Sequence, residues 1–355
     1  MNILVTGGCG FIGLHLTKLL DMKKKYNIVI YDNLKEGTSY LNNFGRVYKG
    51  ELNDSYKLQY LFKKYNFKCI IHLAGLAHIS DSFKNPKLYY HNNLISSINL
   101  LDICIKFNIK FFLFSSSCTV YGDKLLKKDE NHIFTEEDNI EPISPYGNTK
   151  MCFEYILKDY SNKYNFNYTI LRYFNACGSD PSYDIGEFHK DEKRIIPRLI
   201  KSCINETKVF INGDKFNTKD GTCVRDYTHV CDIASSHIKA IEYMFNNNKN
   251  IICNIGSGVG YSIKELISKI EKISGKAINF EIREPRIGDA SKMICSNKRA
   301  INILKWEPKF DIDDIIKTSY EWYKDILPTI EHKLSSQKYF NILNENEEEF
   351  INETK

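Results

Sequence analysis

Short apolar runs, separated by stretches of helical period, recur along most of the chain. They fall at 2–6, 27–31, Val47-Tyr48, 69–73, 110–116, 168–173 and 251–255. Strand-length runs alternating with helices predict a parallel sheet with helices on both faces. The alternation is broken twice. Between the sixth and seventh runs lies an excursion, 177–226, with the turn-rich Gly178-Ser179-Asp180-Pro181 and a charged run at 187–194. After 255 the chain leaves through Gly256-Ser257-Gly258-Val259-Gly260 into a helix, then 278–283 and a Pro/Gly-bearing loop at 285–289. The pattern predicts a nucleotide-binding domain at 1–176, completed by 227–256, and a smaller lobe from 177–226 and 257–330. The acidic tail, 331–355, has little apolar periodicity and reads as a flexible appendage in which Phe340, Ile342 and Leu343 can dock locally.

The first run carries the most information. Ile3-Leu4-Val5 is a short buried strand, glycines follow at 7, 10 and 13, and Phe11, Ile12, Leu16, Leu19 and Leu20 then take a helical period. Strand, glycine turn and helix place backbone N–H groups and a helix N-terminus where a pyrophosphate can sit. A side chain at Gly7 or Gly10 would block that approach, and one at Gly13 would hold the helix off the sheet. The second strand ends in Asp32, about twenty residues on, where a ribose-binding carboxylate is expected. Asp32 followed by Asn33, with no adjacent arginine, favours NAD over NADP. The fold class is therefore α/β, a Rossmann-type doubly wound parallel sheet of about seven strands with a smaller C-terminal substrate lobe.

Composition narrows the setting. At 355 residues the chain can bury a full core, and a formal charge of +5 is too small and dispersed to argue for nucleic acid. Eleven cysteines without a CxxC pair or metal-like spacing read as reduced thiols, several of them core residues. No apolar run approaches membrane-spanning length and no leader precedes the first strand, so a cytoplasmic protein is expected.

Two further stretches carry chemistry. Tyr146 and Lys150 stand four apart at the start of a helix introduced by Ser144-Pro145, so they share one face. A phenol ionises near ~10, and an ammonium one turn away together with a cationic nicotinamide favours the phenolate, a base for a sugar hydroxyl. Phe111-Phe112-Leu113-Phe114 is a buried strand that opens into Ser115-Ser116-Ser117-Cys118-Thr119-Val120-Tyr121-Gly122 at its carboxyl end, where open α/β sheets bind ligands.

With Ala74-Gly75-Leu76, Tyr89 to Asn93, Leu171 to Ala176, Asp220 to Tyr227 and Pro285 to Asp289, these stretches resemble the extended short-chain dehydrogenase/reductase superfamily. Within it they are most similar to the UDP-glucose (UDP-galactose) 4-epimerases, over about residues 1–325. The resemblance implies a redox-neutral inversion at C4 of a UDP-sugar through a transient 4-keto sugar, with NAD as a retained cofactor. Tyr146 takes the 4-hydroxyl proton, Ser117 and Thr119 hydrogen-bond that oxygen, and Lys150 holds the ribose and tunes Tyr146. Cofactor contacts are implied for Gly7, Gly10, Phe11, Ile12 and Gly13, for Asp32 and Asn33, and for Glu51 and Leu52. They continue at Leu73, Ala74, Gly75, Asn92, Ser115 and Tyr173, together with Tyr146 and Lys150. The UDP-sugar is implied to meet Asn175, Arg225, Arg286 and Asp289, and two arginines suit a diphosphate. Members of the family pair through two helices per subunit, here 86–107 and 146–161, so a homodimer is expected.

Several positions depart from the family pattern. Glu51 replaces an Asp, Ala77-His78 stands where a Lys is common, Arg194 replaces an Asn or His, and Asn212 replaces an aromatic near uracil. Met293 occupies the position that gates room for an N-acetyl group, leaving UDP-N-acetylglucosamine open; the Tyr89-to-Asn93 segment and Asp180-Pro181 leave UDP-arabinose as an alternative, and Arg194, a cation for a C6 carboxylate, leaves UDP-glucuronate. A 4,6-dehydratase would need an acid pair where Cys118 and Thr119 stand. A catalytically silent binder would have lost Ser117, Tyr146 or Lys150. His72, His78, His91 and His189 are scattered, and no metal site is read.

Overall fold

The computed structural model describes residues 1–38, 41–123, 129, 131–188 and 192–335; His189 and tail residues 336–355 lie outside them. The central sheet contains seven strands: β1 (Asn2–Thr6), β2 (Asn27–Asp32), β3 (Arg46–Lys49), β4 (Cys69–His72), β5 (Phe111–Ser117), β6 (Asn167–Tyr173) and β7 (Ile251–Ile255). All seven expected runs are strands, within a residue or two of their expected ends. The order is β7-β6-β5-β4-β1-β2-β3, and every pairing is parallel. Successive side chains point to opposite faces, and this sorts the core. Ile3 and Val5 pack with Leu16 and Leu20 of helix Phe11–Met22 and with Ile233 and Ile241 of helix Val230–Asn247. Leu4 packs on the other face with Leu58, Leu100, Phe153 and Leu157, from helices Ser55–Tyr65, Ser96–Lys106 and Pro145–Tyr164.

Order reverses between β1 and β4: β2 and β3 run to one side, β4 to β7 to the other. Such a reversal leaves a crevice at the carboxyl ends of the strands. Over this crevice stands a second core built on Leu199, Leu266, Ile316 and Trp322, from helices Ile195–Asn205, Ile263–Ser274 and Ile312–Glu321 and the turn that follows. Two small sheets accompany it. Strand Val224–His229 pairs with Asn175–Cys177, Gly260–Ser262 and Lys292–Met293, and Val209–Asn212 pairs with Phe280–Arg283.

Two helical expectations are refined. The stretch expected as one helix over 86–107 is Pro86–Tyr89, a π-helical Tyr90–Ile95, then Ser96–Lys106. The helix expected over 146–161 runs Pro145–Tyr164, longer than expected at both ends. All eleven cysteines are free thiols, nine of them buried. No helix among the described residues is long and apolar enough to cross a membrane.

Candidate active site

The crevice is a cleft of about 460 Å³, lined by the glycine turn, the loop after β4, the serine segment after β5, the start of helix Pro145–Tyr164 and long side chains of the second lobe.

At one end the wall is backbone. Gly7 has φ +72, and a Cβ there would lie 2.5 Å from the Ala74 nitrogen. A Cβ at Gly13 would lie 2.4 Å from the Gly7 carbonyl oxygen, so this glycine lets the helix sit on the turn, as its spacing predicts. Gly10 caps the helix, and a Cβ there would meet only the Gly7 oxygen at 3.4 Å, leaving the helix N-terminus open to the cleft. Asp32 closes the turn from below: its carboxylate accepts from the Cys9 N–H at 3.0 Å and the Leu34 N–H at 2.8 Å, and burial raises its pKa. A glycine-walled cradle at a helix N-terminus, with a carboxylate at the next strand end, fits the pyrophosphate and ribose of NAD.

Phe11, Ile12, Leu73, Gly75, Ser115 and Tyr173 line the same cleft. Asp32, Asn33, Glu51, Leu52, Ala74 and Asn92 are not on its wall. Asn33 donates to Glu51 at 3.2 Å, Lys35 pairs with Glu51 at 2.7 Å, and the Leu52 carbonyl accepts from Asn99. Asn92 donates to the Oδ1 of Asn93 at 3.2 Å. Asn93 is the residue that holds the loop after β4, accepting from the Leu76 N–H at 2.8 Å and donating to the Leu76 carbonyl at 2.9 Å.

At the centre stand Ser117, Tyr146 and Lys150, all buried. Ser144 caps the helix by accepting from the Gly147 N–H at 3.0 Å, and Pro145 occupies the first turn. A Cβ at Gly147 would lie 2.8 Å from the Thr119 carbonyl oxygen, so the missing side chain brings the helix against the serine segment. The Ser117 Oγ accepts from the Thr119 N–H at 3.2 Å and the Thr119 hydroxyl at 3.0 Å. Lys150 donates to the Ser115 carbonyl at 2.8 Å, with its Nζ 5.9 Å from the Tyr146 ring centre. Burial pushes the Tyr146 phenol up, opposed by Ser117 and, at longer range, Arg194. Among the protein's own groups, desolvation of the phenolate dominates in so dry a site; the expected lowering also draws on the cationic nicotinamide of bound NAD. Burial also brings Lys150 down to about 8, with Glu154 opposing.

At the far end the wall is charged. Asp289 lies 3.9 Å from Arg225 and 3.0 Å from Arg286, so residues more than sixty positions apart in the chain meet there. Asn175, Asn212, Thr119 and the buried Met293 complete this end. Arg194 pairs with Glu187 at 2.9 Å, and its guanidinium lies 5.0 Å from the Phe11 ring centre, between the two ends. Arg198, absent from the sequence reading, also lines the cleft and donates to the Phe210 carbonyl at 2.8 Å. Its signal was its place one helical turn after Arg194.

Fold and site together define a dinucleotide-binding α/β enzyme with a serine, a tyrosine and a lysine at its centre. The chain belongs to the NAD dependent epimerase/dehydratase family, whose model matches residues 3–256. It is 37% identical to a UDP-glucose 4-epimerase of Rhizobium meliloti, over 91% of this chain and 97% of the relative. A crystal structure of UDP-glucose 4-epimerase from Brucella ovis in complex with NAD is 35% identical, with TM-score 0.85 over 91% of this chain and 98% of the other. One from Bifidobacterium longum in complex with NAD+ and UDP is 33% identical, with TM-score 0.85 over 92% and 99%.

Proposed function

We propose that this protein is a UDP-glucose 4-epimerase that interconverts UDP-galactose and UDP-glucose with NAD as a retained cofactor. The observation that carries the reading is the convergence of Ser117, Tyr146 and Lys150 between a glycine-walled cradle and an arginine-rich end of one cleft. Bound NAD supplies the acceptor for the C4 hydride and returns it to the opposite face. The chain's own residues do the rest. Tyr146 takes the 4-hydroxyl proton and later returns it, while Ser117, steadied by Thr119, hydrogen-bonds the same oxygen. Lys150 fixes the ribose and supplies positive charge one turn from Tyr146. Asn175, Asn212, Arg194, Arg225 and Arg286 anchor the nucleotide diphosphate while the sugar turns, and Met293 sets the room beside the ring. The cradle residues, with Asp32, Asn33, Glu51, Leu52 and Asn92, hold the cofactor.

In this reading residues 1–176 with 227–256 bind the cofactor, and 177–226 with 257–330 bind the sugar nucleotide. We also infer a cytoplasmic homodimer. Leu88 and Ile95 on the first helical stretch, and Tyr155 and Tyr164 on the catalytic helix, leave about half of their surface exposed and supply an apolar face for pairing.

The test incubates purified protein with UDP-galactose, without added NAD, and resolves the products by chromatography. UDP-glucose forms, and Tyr146→Phe reduces kcat roughly a thousandfold with its melting temperature maintained. No turnover of UDP-galactose, UDP-N-acetylgalactosamine or UDP-arabinose, even with NAD supplied, would overturn the proposal.

A further inference from the structure

Behind the reacting residues lies an ionic cluster that the mechanism above does not use. Glu154, on the catalytic helix one turn beyond Lys150, is fully buried. It accepts two hydrogen bonds from Arg172 of β6, from Nε at 3.0 Å and Nη2 at 2.6 Å, and one from the Ser116 hydroxyl of β5 at 2.5 Å. Arg172 also donates to the Tyr121 hydroxyl at 3.0 Å, and that hydroxyl donates to Asn254 of β7 at 2.6 Å. The cluster therefore ties the catalytic helix to three adjacent strands. The residues beside its members in sequence face the cleft: Ser115, Ser117 and Tyr173. Apolar packing of equal volume is often as stable as a buried ion pair, so stability alone does not account for the cluster.

Lys150 is where its position matters. Its ammonium is buried against the Phe114 ring, at 4.9 Å from the centre, and the Ser115 carbonyl. From β4 it faces His72, which burial and Lys150 itself keep neutral by lowering its pKa to about 3. From its own helix it faces Tyr146, and beside the loop after β4 it shares the space next to Gly75 with the Asn93 amide oxygen. The charge opposing its desolvation is Glu154.

We propose that Glu154 is a positioning residue for the reaction: its carboxylate, fixed by Arg172 and Ser116, keeps the Lys150 ammonium charged and seated on the Ser115 carbonyl, one turn from Tyr146. This rests on the proposed roles of Tyr146 and Lys150. Without Glu154's charge Lys150 loses its proton at lower pH, so the alkaline limb of the kcat profile moves down.

The experiment compares kcat against pH for the NAD-loaded native protein, Glu154→Gln, and Glu154→Gln/Arg172→Met, in which no buried arginine is left unmatched. Expected in Glu154→Gln is an alkaline limb moved down by about one pH unit, so that kcat at pH 9 is about tenfold lower, with KM for UDP-galactose unchanged and Glu154→Asp recovering part of the loss; in the double variant, which also loses the opposing Arg172 charge, the limb moves less in the same direction. A merely structural ion pair predicts instead the native profile in both folded variants, and that result overturns the proposal. If the double variant is not recovered folded, Ser116→Ala decides: a smaller shift in the same direction supports the proposal and a native profile overturns it. Lys150→Met and Tyr146→Phe separate the two levels. Near-native turnover in either refutes the site reading itself, whereas loss in both, with native profiles in the Glu154 variants, refutes this inference alone.

Discussion

In the proposed function the two ends of the cleft recognise phosphate by opposite means. At the cofactor end the wall is made by leaving side chains out: Gly7, Gly10 and Gly13 let backbone and a helix N-terminus approach the ligand. At the substrate end it is made by long side chains from separate segments, with Asp289 holding Arg225 and Arg286 together and Glu187 holding Arg194. The first has no freedom to adjust and suits a ligand that stays. The second is built from rotatable charges and suits one that must come and go while its sugar turns.

Adding one methyl group at Gly7 attacks the rigid end. Gly7→Ala places a Cβ 2.5 Å from backbone at a positive φ, where neither neighbour can yield. We expect loss of co-purified NAD, read from the absorbance ratio of the purified protein, and destabilisation of about 1–3 kcal/mol in denaturant melts. A variant that keeps its cofactor and stability would show that this end is as adaptable as the other.

Removing an arginine attacks the adjustable end and should cost less. Arg286→Ala removes charged hydrogen bonds to a diphosphate at a half-exposed site, so KM for UDP-galactose rises roughly 10–100-fold with kcat and NAD content little changed. A fall in kcat with unchanged KM would move Arg286 from binding to the chemical step.

The smallest effect at first, growing with acidity, comes from buried histidines on the sheet side. His15 and His237 are lowered to about 4 and His72 and His229 to about 3, all by burial. Because the folded values lie below the ordinary ~6.5, their stabilising effect is complete above pH ~6.5 and is lost as pH falls, since the unfolded chain takes up protons first. Each costs about 1.4 kcal/mol per pH unit below that point, so the melting temperature should drop steeply between pH 6.5 and 5. A flat profile would mean that the protonated rings find acceptors within the fold.

The same contrast governs what the amino-acid order reveals. The cofactor end is legible because its determinants are close together: three glycines within seven residues, then a strand ending in Asp32. Tyr146 and Lys150 are legible for the same reason, four apart on one helix. The substrate end draws on residues spread from 119 to 293, so its positions follow from family likeness and not from spacing. Arg198 was missed because its one local mark, a place one helical turn after Arg194, is shared by many surface arginines. Glu154 and Arg172 were missed as a pair because only β6 packing against the helix brings them together. The burial that opposes ionisation of Tyr146 was not legible, because a neighbouring charge is visible in sequence and the depth of burial is not.

The π-helical turn at Tyr90–Ile95 adds a constraint of another kind. It inserts one residue into an otherwise continuous helix, and Tyr89 before it and Asn93 within it both face the site. Tyr89 packs edge-on to Tyr146 and Asn93 grips the loop after β4. Deleting a single residue there would restore ordinary winding and rotate everything upstream by about 100°, taking Tyr89 off Tyr146. At its outward-facing positions this segment therefore tolerates a changed side chain better than the loss of one residue.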